Sequence, residues 1–316
     1  MRTSVCLLLF LGALAAQPFP RPLLDAHNCY PYEGKWADRL PRALSAGFPI
    51  GIEQDLAWGI DKSTGLGRPV VSHTPKTTGD EPSLRDYFFE HVRPLVEKAL
   101  RENKTSTWPL ITLHFDFKDN RPELHHALWN LLGEYESWIT TAPKTADPAT
   151  LQPLQLKPLL VLTEDNDAQE AVFFNSLPVG ANLRLFGSAH SAPGRHSAAT
   201  PPEMILTATP TNYRRWWNNS WHIVEEGGQR KTGPWTPEDD ARLRALINHA
   251  HKQGFWIRFY TIDGFAPQDN QGWSETYNFG SRQAAETRWK AAIAARVDLI
   301  ATDHYEQLAP LLPISR

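Results

Sequence analysis

The sequence predicts a single (β/α)8 barrel of the TIM type, and three observations carry that expectation. Short apolar runs alternate with helical stretches along most of the chain, as βαβ units around a parallel sheet require. There are about eight such runs, the number that closes a barrel rather than an open doubly wound sheet. The 316 residues also suit one barrel domain, and 41% hydrophobic with 21% charged residues is an ordinary globular composition.

In chain order, 22–29 reads as the first strand, followed by a helix over 38–46 that Gly47 closes. A second strand covers 49–58, and a hairpin-like excursion then carries Val70-Val71-Ser72-His73. Ser83 has the character of an N-cap for a long helix to about residue 101. The third strand is expected at 110–118, a helix at 122–139 and the fourth strand at 159–163. The fifth and sixth strands are placed at 183–187 and 204–208, with 140–155 and 211–234 as loops. Thr236-Pro237-Glu238 opens a helix to Gly254, with Pro at the first position. The seventh strand at 255–262, a helix at 281–296 and the eighth strand at 297–302 complete the set.

The first sixteen residues have the form of a signal peptide. Arg2 supplies the positive start, 6–14 the short apolar core, and Ala13-Leu14-Ala15 a small-x-small cleavage pattern. The apolar run is shorter than the roughly 20 residues that span a bilayer, and a retained N-terminal anchor is the competing reading. The expectation is a leader at 1–16, a barrel domain at 17–316, and a mature protein that is secreted or periplasmic. Of two cysteines, only Cys29 would remain, so no internal disulfide is expected. A net charge of −3 without any Lys/Arg block excludes the electrostatic footprint of a nucleic-acid partner. No protein partner is evident.

Active sites of such barrels lie at the C-terminal ends of the strands. Polar residues cluster there in this sequence. The first strand ends in Ala26-His27-Asn28. The second carries Glu53 and Asp55 on one face, because side chains alternate along a strand. The third places His114, Asp116 and Lys118 on one face against Leu113, Phe115 and Phe117, and His73 follows the second strand. Three carboxylates facing one mouth repel each other without a cation, and an all-oxygen donor set selects one hard ion, Mg²⁺ or Ca²⁺. Two histidines suit general acid and base, and a lysine beside the ion suits stabilisation of a negative oxygen. A plain Asp116–Lys118 salt bridge and a structural His27 are the bland readings of the same residues.

These residues, in this order, resemble the phospholipase C-like phosphodiesterase superfamily. That group comprises glycerophosphodiester phosphodiesterases, phosphoinositide-specific phospholipases C and sphingomyelinase D enzymes. Ala26-His27-Asn28-Cys29-Tyr30 is similar to the Ser-His-Asn-Thr-Tyr of the phosphoinositide enzymes. The Glu53-x-Asp55 pair and Val71-x-His73 resemble motifs of all three groups, and Asp116-Phe117-Lys118 is closest to sphingomyelinase D. Ala301-Thr302-Asp303 is similar to the last strand of the glycerophosphodiesterases. The resemblance implies His27 and His73 as the catalytic pair, joined by Lys118. It implies Glu53, Asp55 and Asp116 as metal ligands, with Asn28 as an extra one. It also implies a small-molecule or lipid phosphodiester substrate, a cyclic phosphate product and transient contact with a membrane surface. The Asn after His27, where glycerophosphodiesterases carry Arg, departs from that subgroup, and the middle third of the chain matches none of them.

Two rivals remain open at this point. One is a barrel glycosidase using Glu53 or Glu164 with a second carboxylate, which needs no metal. The other is an inactive module that binds a lipid headgroup or a carbohydrate.

Overall fold

The computed structural model describes residues 22–32, 35–225, 233–269 and 278–313. The leader expected at 1–16 lies outside the described residues. The strands are β1 (Leu23–Ala26), β2 (Ile50–Ile60), β3 (Gly67–Val71), β4 (Ile111–Phe117), β5 (Ala142–Pro143), β6 (Leu159–Thr163), β7 (Asn182–Leu183), β8 (Phe186–Ser188), β9 (Arg214–Ser220), β10 (Trp256–Tyr260) and β11 (Leu299–Thr302). The helices are α1 (Arg39–Ser45), α2 (Glu90–Glu102), α3 (Pro122–Glu134), α4 (Asp167–Glu170), α5 (Pro202–Ile205), α6 (Pro237–Gln253), α7 (Arg282–Ala295) and α8 (Tyr305–Leu308).

Eight strands pair in parallel in the order β1-β11-β10-β9-β8-β6-β4-β2, and β1 pairs back onto β2. The sheet is closed, and the chain is a single (β/α)8 barrel. β3 runs antiparallel to the upper half of β2, so β2 rises above the rim as a hairpin and returns the chain at Val71. Outward-facing strand residues such as Leu24, Ile52, Leu113, Val161 and Ile257 join Leu132, Leu246 and Ala292 of the helices in one apolar layer. No helix among the described residues is long and apolar enough to cross a membrane.

Local sequence accounts for the helix ends. Thr236 and Asp239 form a reciprocal capping box at the start of α6, and Gly254 stops that helix at φ 98°. Ser281 caps α7 through the Ala284 N–H, and Asn166 caps α4 through the N–H groups of Ala168 and Gln169. Ser83 Oγ accepts from the Asp86 N–H at 3.0 Å, and a π-helical turn at Arg85–Phe89 leads into α2.

Two strand expectations need correction. The sixth barrel strand is β9, inside the stretch expected as a loop, while the residues expected to form it make the end of α5, at Met204 and Ile205, and an irregular stretch after it. The run Arg-Arg-Trp-Trp-Asn-Asn-Ser reads as polar, yet every polar head finds a partner inside the fold. Arg214 pairs with Glu170 and Asp165, and Arg215 reaches the carbonyls of Asn212 and Gln152. The fifth strand is β8, displaced toward the C-terminus of the expected span. Asn182–Leu183 pairs instead with Ala142–Pro143, which lies in the other stretch expected as a loop.

Gly51 shows how tightly the barrel interior is filled. A Cβ there would lie 2.6 Å from Asp25 Oδ1, so an alanine would push against a buried carboxylate.

His125 on α3 is buried against Phe117 and Phe173, and its Nε2 lies 3.2 Å from Asn120 Oδ1. Burial, with His126 adding to it, pushes the imidazole pKa down to about 4. The unfolded chain therefore takes up this proton near pH ~6.5 while the folded one resists, and stability falls as pH drops from there toward about 4. Thermal melts across that range should show a shallower loss for His125→Gln than for the parent. Parallel curves would contradict a neutral buried His125.

Candidate active site

Strand register brings the acidic residues together. β2 and β4 pair with Glu53 beside His114 and Asp55 beside Asp116, all facing the barrel interior. Ligand oxygens of Glu53, Asp55 and Asp116 all lie within 4.8 Å of one another. His27, at the end of β1, approaches this cluster from one side, its Nε2 3.6 Å from Glu53 Oε1. His73, just past β3, approaches from the other, its Nδ1 2.6 Å from Asp55 Oδ2. Lys118 lies between two of the acids, its Nζ 3.0 Å from Asp55 Oδ2 and 2.8 Å from Asp116 Oδ2. The residues singled out in the sequence thus form one site at the mouth, although they come from separate strands and loops.

Each histidine is oriented by a carboxylate. Asp303, after β11, accepts from His27 Nδ1 at 2.9 Å and from Asn28 Nδ2 at 3.0 Å. Arg39 at the start of α1 donates to the other Asp303 oxygen at 2.8 Å. Asp263 braces the same corner, accepting from the Thr302 hydroxyl at 2.6 Å and the Asp303 N–H at 2.7 Å. Burial, the largest single influence, opposes the His27 imidazolium, but Glu53, Asp303 and Asp263 together outweigh it, so the pKa rises to about 9. His73 is steadied through Nδ1 by Asp55 and by Tyr30 Oη at 2.8 Å, while its ring remains half exposed.

The side chain of Asn28 has partners other than those expected of a ligand. Its left-handed backbone, at φ 50°, turns the amide so that Oδ1 accepts from Tyr30 Oη at 2.5 Å and Nδ2 reaches Asp303. It links the two histidine supports.

Under the cluster lies a fully buried layer. The Arg258 guanidinium on β10 bonds Asp25 through Nε, Glu53 through Nη2, and Asn218 Oδ1 at 3.0 Å through Nη1. Glu53 is therefore held at one oxygen, with its Oε1 turned toward His27 and the Asn28 N–H. His114 packs edge-on against Trp216, with Nδ1 3.3 Å from Glu53 Oε2.

The residues fit a hard divalent cation on the structure's own evidence. Asp55 Oδ1 is buried without a hydrogen-bond partner. Burial, reinforced by Asp116, holds the Asp55 carboxyl above its usual range despite His73 and Lys118. Just past the end of β6, Glu164 is pushed up to about 8 by burial and by Asp116. Crowded carboxyls whose pKa values are raised mark a place where added positive charge is stabilising. Asp167, Glu170 and His190 form a separate, more exposed group that Arg214 already enters.

Sequence reasoning missed Arg39, which carries no motif, and gave Arg258 no role. Asp303 and Tyr30 stood within quoted motifs without an assigned role.

Removing the Arg258 charge leaves Asp25 and Glu53 buried without their cation. Arg258→Met should lower unfolding free energy by about 3–5 kcal/mol in urea melts, and adding Asp25→Asn should recover part of it. A loss no larger than about 1 kcal/mol, the size of a routine substitution, would show that the layer is not held by this charge.

No protein-family model matches the sequence, and no curated protein matches it. Among solved structures, two of the HPPK-DHPS of Plasmodium falciparum are 7% and 8% identical with TM-scores of 0.44 and 0.45. Each alignment covers 92% of this chain and 47% or 46% of the other. A GH5 xyloglucanase of Bacteroides ovatus is 10% identical, with a TM-score of 0.25 over 90% of this chain and 58% of its own. The chain spans about half the length of these proteins. The barrel is established by its own strand pairing, and nothing about its chemistry is taken from these neighbours.

Proposed function

We propose that the chain is an exported, metal-dependent phosphodiesterase acting on a phospholipid headgroup or glycerophosphodiester. The observation that carries this reading is the placement of two oriented histidines on either side of a three-carboxylate cluster with a lysine in it. Export rests on the sequence of residues 1–16 alone. Ile60 and Leu66, 51% and 68% exposed at the tip of the β2–β3 hairpin, support brief contact with a lipid surface.

Glu53, Asp55 and Asp116 would hold one Ca²⁺ or Mg²⁺, which supplies charge neutralisation at the phosphoryl oxygens. The chain's own groups account for the proton movements. In the cyclising course, a substrate hydroxyl oxygen bonds to phosphorus while the bond to the leaving oxygen breaks. One histidine accepts the hydroxyl proton and the other protonates the leaving oxygen. Asp303 and Asp55 keep the two rings aligned through their Nδ1 atoms, and Lys118 balances the negative charge that builds on the phosphoryl group. Attack by a group already within the substrate gains from proximity.

Turnover of glycerophosphodiesters and lysophospholipids, followed by phosphorus NMR, tests this reading. His27→Ala and His73→Ala should each reduce turnover by on the order of 10²–10⁴. The double variant should lose little more than either single one. A cyclic phosphate should precede any linear product. Near-normal turnover in either variant would remove that histidine from the reaction.

Glu164, with a carboxyl that stays protonated to about pH 8, is the one observation that favours a glycosidase acid. That reading leaves both histidines without a task. Hydrolysis of glycosides that persists in EDTA, with no action on phosphodiesters, would establish it over ours.

A further inference from the structure

Beside the carboxylate cluster, the chain after β8 and the ends of β9 and β10 enclose a cavity of about 280 Å³ of opposite character. Its lining includes Ser191, Arg195, His196, Asn218, His222 and Tyr260, and no Asp or Glu among the described residues. Two contacts join it to the site. The Tyr260 ring stacks on His27 with centroids 6.4 Å apart, and Asn218 accepts from Arg258, whose other arm holds Glu53. Arg195 is exposed and makes no ion pair among the described residues. His196 is fixed by its Nε2 donating to the Ala192 carbonyl at 2.6 Å. His222 is exposed on one side, partial desolvation lowers its imidazole pKa, and Arg195 supplies the fixed charge.

We propose that this cavity is a second subsite of the same active site, receiving an anionic group, phosphate or carboxylate, that the substrate carries beside its scissile phosphodiester. The proposal rests on the phosphodiesterase reading and adds a substrate class to it. A guanidinium fork matches the paired oxygens of either anion, and the amide and hydroxyl groups of Asn218 and Ser191 extend the hydrogen bonding. A quaternary ammonium headgroup fits poorly, since such groups are held by several Trp, Tyr or Phe faces or a carboxylate, and among the described residues this lining offers Tyr260 alone. The division of charge also fixes direction. The scissile phosphate goes to the side where a cation is held among carboxylates, and the second anion goes to the side where the protein itself is positive.

Calorimetric titration of the full chain and of Arg195→Gln with inorganic phosphate and with acetate tests the subsite directly. Arg195 is exposed, so the variant should keep the fold. Phosphate or acetate binding should weaken about tenfold or more in the variant, and the probe that shows the larger loss identifies the anion. Amide NMR shifts should appear at 191–196 and 218–222. Equal affinity of both probes for parent and variant, with no shifts at those residues, would overturn the proposal. Turnover separates it from the reading beneath. A diester bearing a terminal phosphate should lose about tenfold in kcat/KM in Arg195→Gln, through KM, so that its advantage over the matched choline diester falls by about that factor. If phosphate binds through Arg195 but no diester is cleaved, the phosphodiesterase reading fails and the anion site stands. If diesters are cleaved and the variant alters neither binding nor headgroup preference, only the subsite fails.

Discussion

The structure turns on a surplus of negative charge inside the upper half of the barrel. Asp25, Glu53, Asp55, Asp116, Glu164, Asp263 and Asp303 crowd there, mostly buried, while among the described residues the fixed cations between them are Arg39, Lys118 and Arg258. Burying unbalanced carboxylates is costly, and a protein relieves the cost by pairing them or by keeping protons on them. Both remedies are visible. His27 is held charged to about pH 9, Asp263 is pushed up to about 7 by burial and by Asp303, and Asp55 and Glu164 are raised as well. A bound divalent cation would remove the same imbalance at one stroke.

That constraint shapes the surrounding elements. Arg258 neutralises the layer below the site and keeps one oxygen of Glu53 turned upward. Gly51 makes room for Asp25, without which Arg258 would lose one of its two carboxylate partners. The β2–β3 hairpin lifts His73 from a loop to a defined place beside Asp55. Asp303, anchored by Arg39 and Asp263, does for His27 what Asp55 does for His73. Stability and chemistry are thus coupled, since the groups that make the interior tolerable also aim the histidines.

Much of this was legible in the residues. Period-two alternation put Glu53 with Asp55 and Asp116 with Lys118 on common faces, and strand order then brought the faces together. Helix stops such as Gly254 and the cap at Thr236 read directly. What could not be read depends on partners distant in sequence. β9 escaped notice because its arginines and asparagines look solvent-exposed until Glu170, Asp165 and Arg258 are placed beside them. Arg39 and Asp303 are 264 residues apart, and no local pattern joins them. Asn28 was read as an extra ligand, and the left-handed turn that also sends its amide to Tyr30 and Asp303 has no signature in the local residues.

Diffraction from crystals grown with Mn²⁺, recorded at its absorption edge, measures the central claim most directly. The charge argument predicts one anomalous peak among Glu53, Asp55 and Asp116, at roughly 2.0–2.6 Å from their oxygens, with Lys118 moved off Asp55. No peak at that position, or a peak only at Asp167, Glu170 and His190, would contradict it.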